Sequence, residues 1–184
     1  MPRPRPPTLD LATITRCLDA YISLIACADD LRVTNDAARF VQYPKVPSPC
    51  TQALVRHLIA ARVLLHDVGQ IDDIIVGSRE GDLILLTPTR RVVVEVKATA
   101  RDYTELSTGD LAAHYFLWLD FARFREDGNV VIHVIAGPIE RFGWRADRGL
   151  HLPRFIANTG AELETVTVNL AAWAASDTSQ APSA

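Results

Sequence analysis

Residues 80–99, EGDLILLTPTRRVVVEVKAT, contain two short apolar runs that each carry a carboxylate. The runs LILL (83–86) and VVVEV (92–96) are aliphatic or β-branched, and the turn-forming TPTR separates them, so they predict two paired strands. Asp82 precedes the first run, and Glu95 and Lys97 end the second. Burying an ionised carboxylate costs several kcal/mol unless it is paired or bound to a cation. The stretch therefore predicts a sheet that holds a cluster of charges.

The positions of these charges suggest a chemical use. Side chains alternate along a strand, so Glu95 and Lys97 share one face while Val96 points to the other. Hairpin pairing would bring Asp82 close to Glu95, and two neighbouring carboxylates repel unless a cation lies between them. Mg²⁺ prefers oxygen ligands of this kind, and an adjacent lysine can stabilise charge at a phosphate. A purely structural alternative is a Glu95–Lys97 pair on an edge strand, with Asp82 closing the turn.

The rest of the chain supplies helices and further strands. Periodicity and turn signals predict, in chain order, a helix over 9–32, a helix over 49–66 with Ser48 as N-cap, a strand from Ile71, a helix over 108–127 capped by Thr108 or Asp110, strands over 129–137 and 162–170, and a closing helical turn over 170–175. This order predicts an α/β fold with a mixed central β-sheet flanked by helices.

The length of 184 residues predicts one domain over 1–184. Its predicted parts are a flexible N-terminus over 1–8, an N-terminal helical extension over 9–48, a core over 49–137, a C-terminal extension over 138–175 and a disordered tail over 176–184.

Composition limits the classes of function. No apolar run approaches the roughly 18 residues of a membrane span, and no signal peptide is recognisable, so we expect a cytoplasmic protein without a membrane partner. The three cysteines lack metal-binding spacing. The sequence also has no Gly-rich phosphate loop, so we expect no small-molecule cofactor beyond a metal ion. The net charge is −3, but RFGWRADRGLHLPR (141–154) concentrates arginines against one acid. Such a segment suits phosphate contacts, and a solvated face is an equally good interpretation.

The pattern G-D-L-I-L-L…V-V-V-E-V-K-A-T resembles the core of the PD-(D/E)xK nuclease superfamily, which includes most type II restriction endonucleases. The resemblance covers roughly residues 50–137. That core is a helix, a three-stranded meander, a helix and a further strand (αβββαβ), to which this chain adds an N-terminal helix. The resemblance implies that Asp82 and Glu95 bind Mg²⁺, or Mn²⁺ in its place, together with the carbonyl of Val96. It also implies that Lys97 lies beside the attacking water, so the catalytic residues would be Asp82, Glu95 and Lys97.

Two features depart from the superfamily pattern. Gly81 stands where a proline often precedes the first acid. The upstream helix segment PCTQALVRHLIAARVLL contains no Asp or Glu, although many members have a metal-binding or base-like acid there. The acids that would have to substitute are Asp67, Asp72, Asp73 or Glu80.

Among the superfamily activities, we expect a type II restriction endonuclease that cuts double-stranded DNA. One active site cuts one strand, so a homodimer would be needed for a palindrome. Arg141, Arg145 and Arg148 are candidates for DNA contacts, and Arg101 for the region of the scissile phosphate. The alternatives are a repair or recombination nuclease such as a Holliday-junction resolvase, a non-catalytic nucleic-acid-binding protein with this fold, and an unrelated α/β interaction domain.

Overall fold

The computed structural model describes residues 9–34, 48–78, 80–100, 103–146 and 148–178. The predicted flexible segment 1–8, Arg101 and residues 179–184 of the predicted disordered tail lie outside the described residues.

The described helices and strands follow the predicted order in most places. The helices are α1 (Leu11–Thr34), α2 (Ser48–Ala60), α3 (Thr108–Ala112), α4 (Phe124–Asp127), α5 (Leu152–Thr159) and α6 (Leu170–Thr178). The strands are β1 (Asp73–Val76), β2 (Leu83–Leu86), β3 (Arg91–Thr99), β4 (Tyr103–Glu105), β5 (Tyr115–Asp120), β6 (Asn129–Ala136), β7 (Gly149–His151) and β8 (Glu164–Asn169). Short 3₁₀ turns occupy His66–Val68, Ile139–Phe142 and Gly160–Glu162.

One mixed sheet organises the molecule, with the strand order β1-β2-β3-β5-β6-β8. β3 and β5 are parallel, whereas the other neighbouring strands in this sheet are antiparallel. A separate small sheet pairs β4 with β7. The prediction of an α/β fold with a mixed central sheet flanked by helices is confirmed.

The quoted stretch forms the predicted hairpin. Leu83 pairs with Val94 and Leu86 with Arg91. The hydroxyl of Thr87 donates a hydrogen bond to the carbonyl of Arg90, which closes the turn at 2.8 Å. With β1 antiparallel to β2, the predicted three-stranded meander is present. β3 lies between β2 and β5, so Glu95 and Lys97 are not on an edge strand.

The prediction of one helix over 108–127 is wrong. The segment forms the short helix α3, the central strand β5 and the single turn α4. The run YFLWLD of β5 is apolar on all sides, which suits a strand covered on both faces as well as it suits a buried helix. The helix cap also differs, because Ser107 rather than Thr108 or Asp110 is the N-cap of α3.

The helix predicted over 49–66 ends early, at Ala60. Arg62 has a left-handed backbone with φ of 58°. The amide of Arg62 donates to the carbonyl of Ile59, and the amide of Val63 donates to that of Leu58. This is the Schellman pattern, which satisfies the last carbonyls and turns the chain away from the helix axis. The predicted helix was too long because the residues after Ala60 are also apolar and fit the helical periodicity.

The sheet separates two apolar cores. One core contains Val92, Val94 and Val96 of β3 and is covered by residues of α1, α2, α4 and α6. The second core, on the opposite face, contains Phe116 and Trp118 of β5 and is built with residues of α3, β7 and α5. Glu95 and Lys97 of β3 stand in register with Phe116 and Trp118, so they project towards this second core.

Helix α1 contains a longer apolar stretch than we predicted from the sequence. Its window Leu11–Ala28 spans 18 residues with a mean hydropathy of 1.4, and it is the one membrane-span candidate among the described residues by length and composition. Core helices of soluble proteins and signal sequences pass the same test, and 39% of the window is buried inside the molecule. Ile14 and Leu18 are fully buried against the first core. α1 also meets α2 where the free thiols of Cys17 and Cys50 lie 2.6 Å apart.

Candidate active site

Asp82 immediately precedes β2 and is held by hydrogen bonds to α2 and β3. Its Oδ2 accepts from the backbone N–H of Val96 at 2.9 Å, and its Oδ1 accepts from Nε2 of Gln52 at 2.6 Å. The β2–β3 ladder ends at the Leu83–Val94 pair, so the Asp82 carboxylate takes the next amide of β3 in place of a backbone carbonyl. The first predicted acid is thus held beside the residue that follows Glu95.

Glu95 lies between the Gly81–Asp82 loop and the start of α3. A Cβ atom on Gly81 would stand 2.6 Å from Cγ1 of Val93 and 3.3 Å from Oε1 of Glu95. A Cβ atom on Gly109 would stand 3.4 Å from the same Oε1. Both glycines therefore leave room for the glutamate. A side chain at position 81 would collide with β3.

The protonation of Glu95 depends on the neighbouring carboxylate. Burial, followed by the charge of Asp82 and a hydrogen bond with Asp82, raises the pKa of Glu95 from its ordinary value of 4.5 to about 8. The carboxylate of Asp110 adds to the rise, and the ammonium of Lys97 opposes it. Without a cation nearby, Asp82 and Glu95 are therefore not readily ionised at the same time.

Lys97 forms an ion pair with Asp110, which we did not predict to belong to the site. Its Nζ lies 2.8 Å from Oδ2 of Asp110, whose side chain is 1% exposed. The N–H and the hydroxyl of Ser107 donate to the same oxygen, which completes a capping box at the start of α3. The other oxygen, Oδ1, is buried without a hydrogen-bond partner among the described residues.

The sequence analysis did not predict the contact of Asp110 with Lys97, because it predicted one long helix over 108–127. In a long helix over 108–127, Asp110 is one more capping acid. In the structure, α3 lies in the crossover between the parallel strands β3 and β5, and this crossover returns Asp110 to Lys97. The S-x-x-D sequence of Ser107–Asp110 was a usable signal for the cap, but not for the ion pair.

The acids proposed to substitute on the upstream helix are engaged elsewhere. Asp67 accepts from the hydroxyl of Tyr115 at 2.7 Å, Asp72 accepts from Gln70, and Glu80 pairs with Arg91 at 3.1 Å. Asp73 accepts from the N–H of Ile74, the next residue. The α2 side chain that reaches Asp82 is the amide of Gln52.

A hard cation fits the donors that remain. Among the described residues, no group of three or more His, Cys, Asp or Glu side chains is arranged to hold a metal ion. The donors predicted from the sequence are the carboxylates of Asp82 and Glu95, which interact with each other in the structure, and the backbone carbonyl of Val96. Mg²⁺ commonly uses one or two protein carboxylates and keeps several waters, so this small set suits it better than a metal that requires a full protein cage.

The arginines predicted to contact DNA are divided. Arg145 and Arg148 line a cavity together with Arg154. Arg141 lies outside this lining and makes an ion pair with Glu162 at 2.5 Å. The fold thus brings Asp82, Glu95, Val96 and Lys97 together, whereas Arg145 and Arg148 line the cavity and Arg141 pairs with Glu162.

Comparison with protein-family models, with curated proteins and with solved structures finds no match for this chain.

Proposed function

We propose that this protein is a metal-dependent deoxyribonuclease that hydrolyses phosphodiester bonds of double-stranded DNA. Asp82, Glu95 and Lys97 are its catalytic residues, and Asp82, Glu95 and the carbonyl of Val96 hold Mg²⁺. One observation carries the proposal: the Asp82 carboxylate is tied to the amide of Val96, between Glu95 and Lys97, on an interior strand. Two charged residues on β3, with the Asp82 carboxylate held against them, have no packing advantage there, and a reaction that needs fixed charges explains them.

The side chains divide the work by position. When bound, Mg²⁺ supplies charge neutralisation at the phosphate and lowers the pKa of a coordinated water. Gln52 and the Val96 amide fix the orientation of the Asp82 carboxylate. Lys97, a quarter exposed, can hold a water or a phosphate oxygen with the hydrogen-bond capacity that Asp110 leaves free.

The narrower proposal is a type II restriction endonuclease that acts as a homodimer. It is supported by the placement of Arg145, Arg148 and Arg154 in the C-terminal extension, outside the strands that carry the acids. No described contact favours a branched substrate, so a Holliday-junction resolvase and a binding-only protein enter as outcomes of the experiment.

The test is cleavage of supercoiled plasmid and long linear DNA with Mg²⁺, compared with EDTA and with Lys97→Ala. We expect discrete fragments from the wild-type protein, and a loss of at least about 100-fold in rate for Lys97→Ala, the size typical of removing one transition-state stabiliser. Glu126→Gln on α4 is the matched control because Glu126 is exposed and α4 packs against the other core.

Other outcomes separate the alternatives. A smear, or shortening from the ends, would retain a nuclease and contradict the restriction assignment. Cleavage confined to four-way junctions would favour the resolvase. Metal-independent DNA binding without cleavage of any duplex, branched or single-stranded substrate would contradict a catalytic role for Asp82, Glu95 and Lys97.

A further inference from the structure

A cavity of about 360 Å³ opens on the sheet face that carries Glu95 and Lys97. It forms where the end of β4 meets β7, the preceding loop and the first turn of α5. Its lining consists of Leu106, Gly143, Trp144, Arg145, Arg148, Gly149, Leu150 and Arg154. Ligand pockets are commonly about 300–1,000 Å³, so the volume is adequate for one nucleotide unit.

Among the described residues that line this cavity, every charged side chain is basic. Arg145, Arg148 and Arg154 are exposed, and none has a carboxylate partner among the described residues. Arg154 lies in the first turn of α5, which contains no acidic residue. A positive side chain at the positive end of a helix is unfavourable unless an anion lies nearby. The three arginines therefore create a positive field that an anionic ligand would neutralise.

The wall of the cavity is apolar and firmly packed. Leu106 and Leu150 are 4% and 2% exposed. The ring of Trp144 stacks on Phe155 with centroids 5.0 Å apart and an interplanar angle of 19°. The cavity thus combines basic side chains with an apolar surface, a set suited to a phosphate attached to a sugar.

The cavity is joined to the candidate active site through consecutive residues. The amide of Leu106 donates to the carbonyl of Arg148 at 3.4 Å, which connects the cavity wall to its basic loop. The next residue, Ser107, holds Asp110, and Asp110 pairs with Lys97. The same short segment therefore contributes to both places.

We propose that this cavity binds a phosphate group of a nucleic-acid strand, with Arg148 and Arg154 as the principal contacts and the sugar of the same nucleotide against Leu106, Trp144 and Leu150. The identity of the strand rests on the proposed nuclease function. The phosphate bound here is not the one that is cleaved, because the acids Asp82 and Glu95 are absent from the cavity lining.

The test measures binding of a fluorescein-labelled 20-base-pair duplex by anisotropy, in EDTA and at several salt concentrations. For the double variant Arg148→Gln/Arg154→Gln we expect about tenfold weaker binding. We also expect the slope of log K against log salt to fall by about 1, which corresponds to one lost phosphate contact. Arg125→Gln is the single-charge control, because Arg125 is exposed on α4 and α4 packs against the opposite core.

The double variant Arg148→Lys/Arg154→Lys tests charge against geometry and also guards against a folding defect. It should keep the salt slope of the wild type while binding more weakly, because lysine retains the charge without the planar fork of arginine. Thermal unfolding of each variant checks that the fold is retained. An equal loss per charge in Arg125→Gln, or no loss in the glutamine double variant, would overturn the proposal in favour of a diffuse basic surface or none.

A second arm identifies the source of the phosphate. Quenching of tryptophan fluorescence is followed with dCMP and with deoxycytidine, because Trp144 forms part of the wall. We expect dCMP, but not deoxycytidine, to quench the fluorescence. We also expect the glutamine double variant to lose the quenching by dCMP. Binding of dCMP without binding of any DNA or RNA strand would overturn a nucleic-acid occupant.

The two proposals fail independently. Metal-dependent cleavage that needs Lys97, with duplex affinity unchanged in the glutamine double variant, would keep the nuclease and overturn the cavity. The predicted loss of affinity and salt slope, with no cleavage of any substrate, would keep the cavity and overturn the nuclease.

Discussion

At the residue scale, the candidate site depends on how two acids and a lysine are kept from neutralising one another. Asp82 is engaged by Gln52 and by an amide of β3, Lys97 is engaged by Asp110, and Glu95 is left with the raised pKa. Glu95 is thus the group whose charge depends most on whether a cation is bound.

The first prediction concerns the pH dependence of stability in EDTA. Because the pKa of Glu95 is about 8 in the folded chain and ordinarily 4.5, the folded chain retains a proton that the unfolded chain has released between these values. Stability should therefore be higher below this window and fall as pH rises through about 8. Glu95→Gln should remove about 1–2 kcal/mol of this fall, a figure reduced for solvent screening of a half-buried group.

Urea unfolding at pH 5.5 and pH 8.5 measures this difference for the wild-type protein and for Glu95→Gln. Replacing EDTA by Mg²⁺ should reduce the loss for the wild type and leave the variant unchanged. The same fall in both proteins would show that Glu95 is not the group that titrates.

The second prediction compares a buried ion pair with an exposed one. Asp110 is 1% exposed and Lys97 is 25% exposed, whereas Arg141 and Glu162 are 45% and 54% exposed. Asp110→Asn leaves a partly buried ammonium without its charge partner, so we expect a loss of about 2–3 kcal/mol in the free energy of unfolding. Glu162→Gln should cost about 0–1 kcal/mol.

Urea unfolding of both variants tests this difference, and plasmid cleavage shows whether Asp110 also positions Lys97. A loss of cleavage in Asp110→Asn at temperatures where the variant is fully folded would support positioning. Equal stability losses in the two variants would contradict the importance given to burial.

At the element scale, the loop before β2 and the start of α3 both approach β3, and both carry a glycine at the approach. The loop comes close enough that only glycine fits at position 81, whereas position 109 has room for a Cβ atom. The third prediction compares these two glycines. In Gly81→Ala, the new Cβ meets Val93 at 2.6 Å and approaches Glu95, so either β3 or the loop must shift. We expect a loss of about 1–3 kcal/mol and a displaced Glu95.

Gly109→Ala is the matched control. Its Cβ would meet Glu95 only at 3.4 Å, and alanine is the better helix former in α3 by about 1 kcal/mol. Thermal unfolding together with Mg²⁺-dependent cleavage should show Gly81→Ala impaired in both, and Gly109→Ala at least as stable as the wild type and equally active. A stable, active Gly81→Ala variant would contradict the steric account of this loop.

At the scale of the whole molecule, the sheet has two different faces. One is covered by α1, α2, α4 and α6 around the larger core, and the other carries Glu95, Lys97 and the arginine cavity. A ligand that contacted the cavity and Glu95 together would lie on this second face.

The fourth prediction follows from one site per chain in the proposed homodimer. Mixed dimers of wild type and Lys97→Ala should convert supercoiled plasmid to nicked circles, because one subunit cuts one strand. Wild-type dimers should give linear product. Plasmid cleavage after subunit exchange measures this, with light scattering to check the mass of two chains of 20.3 kDa each. A monomer at all working concentrations would contradict the dimer.

Local sequence specifies the meander and the grouping of Asp82, Glu95 and Lys97, because both depend on strand alternation and on a short-range hairpin. It also determined β6 and β8, whose runs are bounded by clear turn signals. These elements are specified by neighbours along the chain.

Contacts between distant segments specify the remaining features. Residues 115–120 form a strand because β3 and β6 provide hydrogen-bonding partners on both sides, which no local periodicity encodes. Asp110 meets Lys97 only because a parallel crossover returns it to β3, and Gln52 meets Asp82 across 30 residues. The arginine cavity likewise needs the β4–β7 pairing. Local preference fixed the strands that carry the charges, and long-range pairing fixed the partners of those charges.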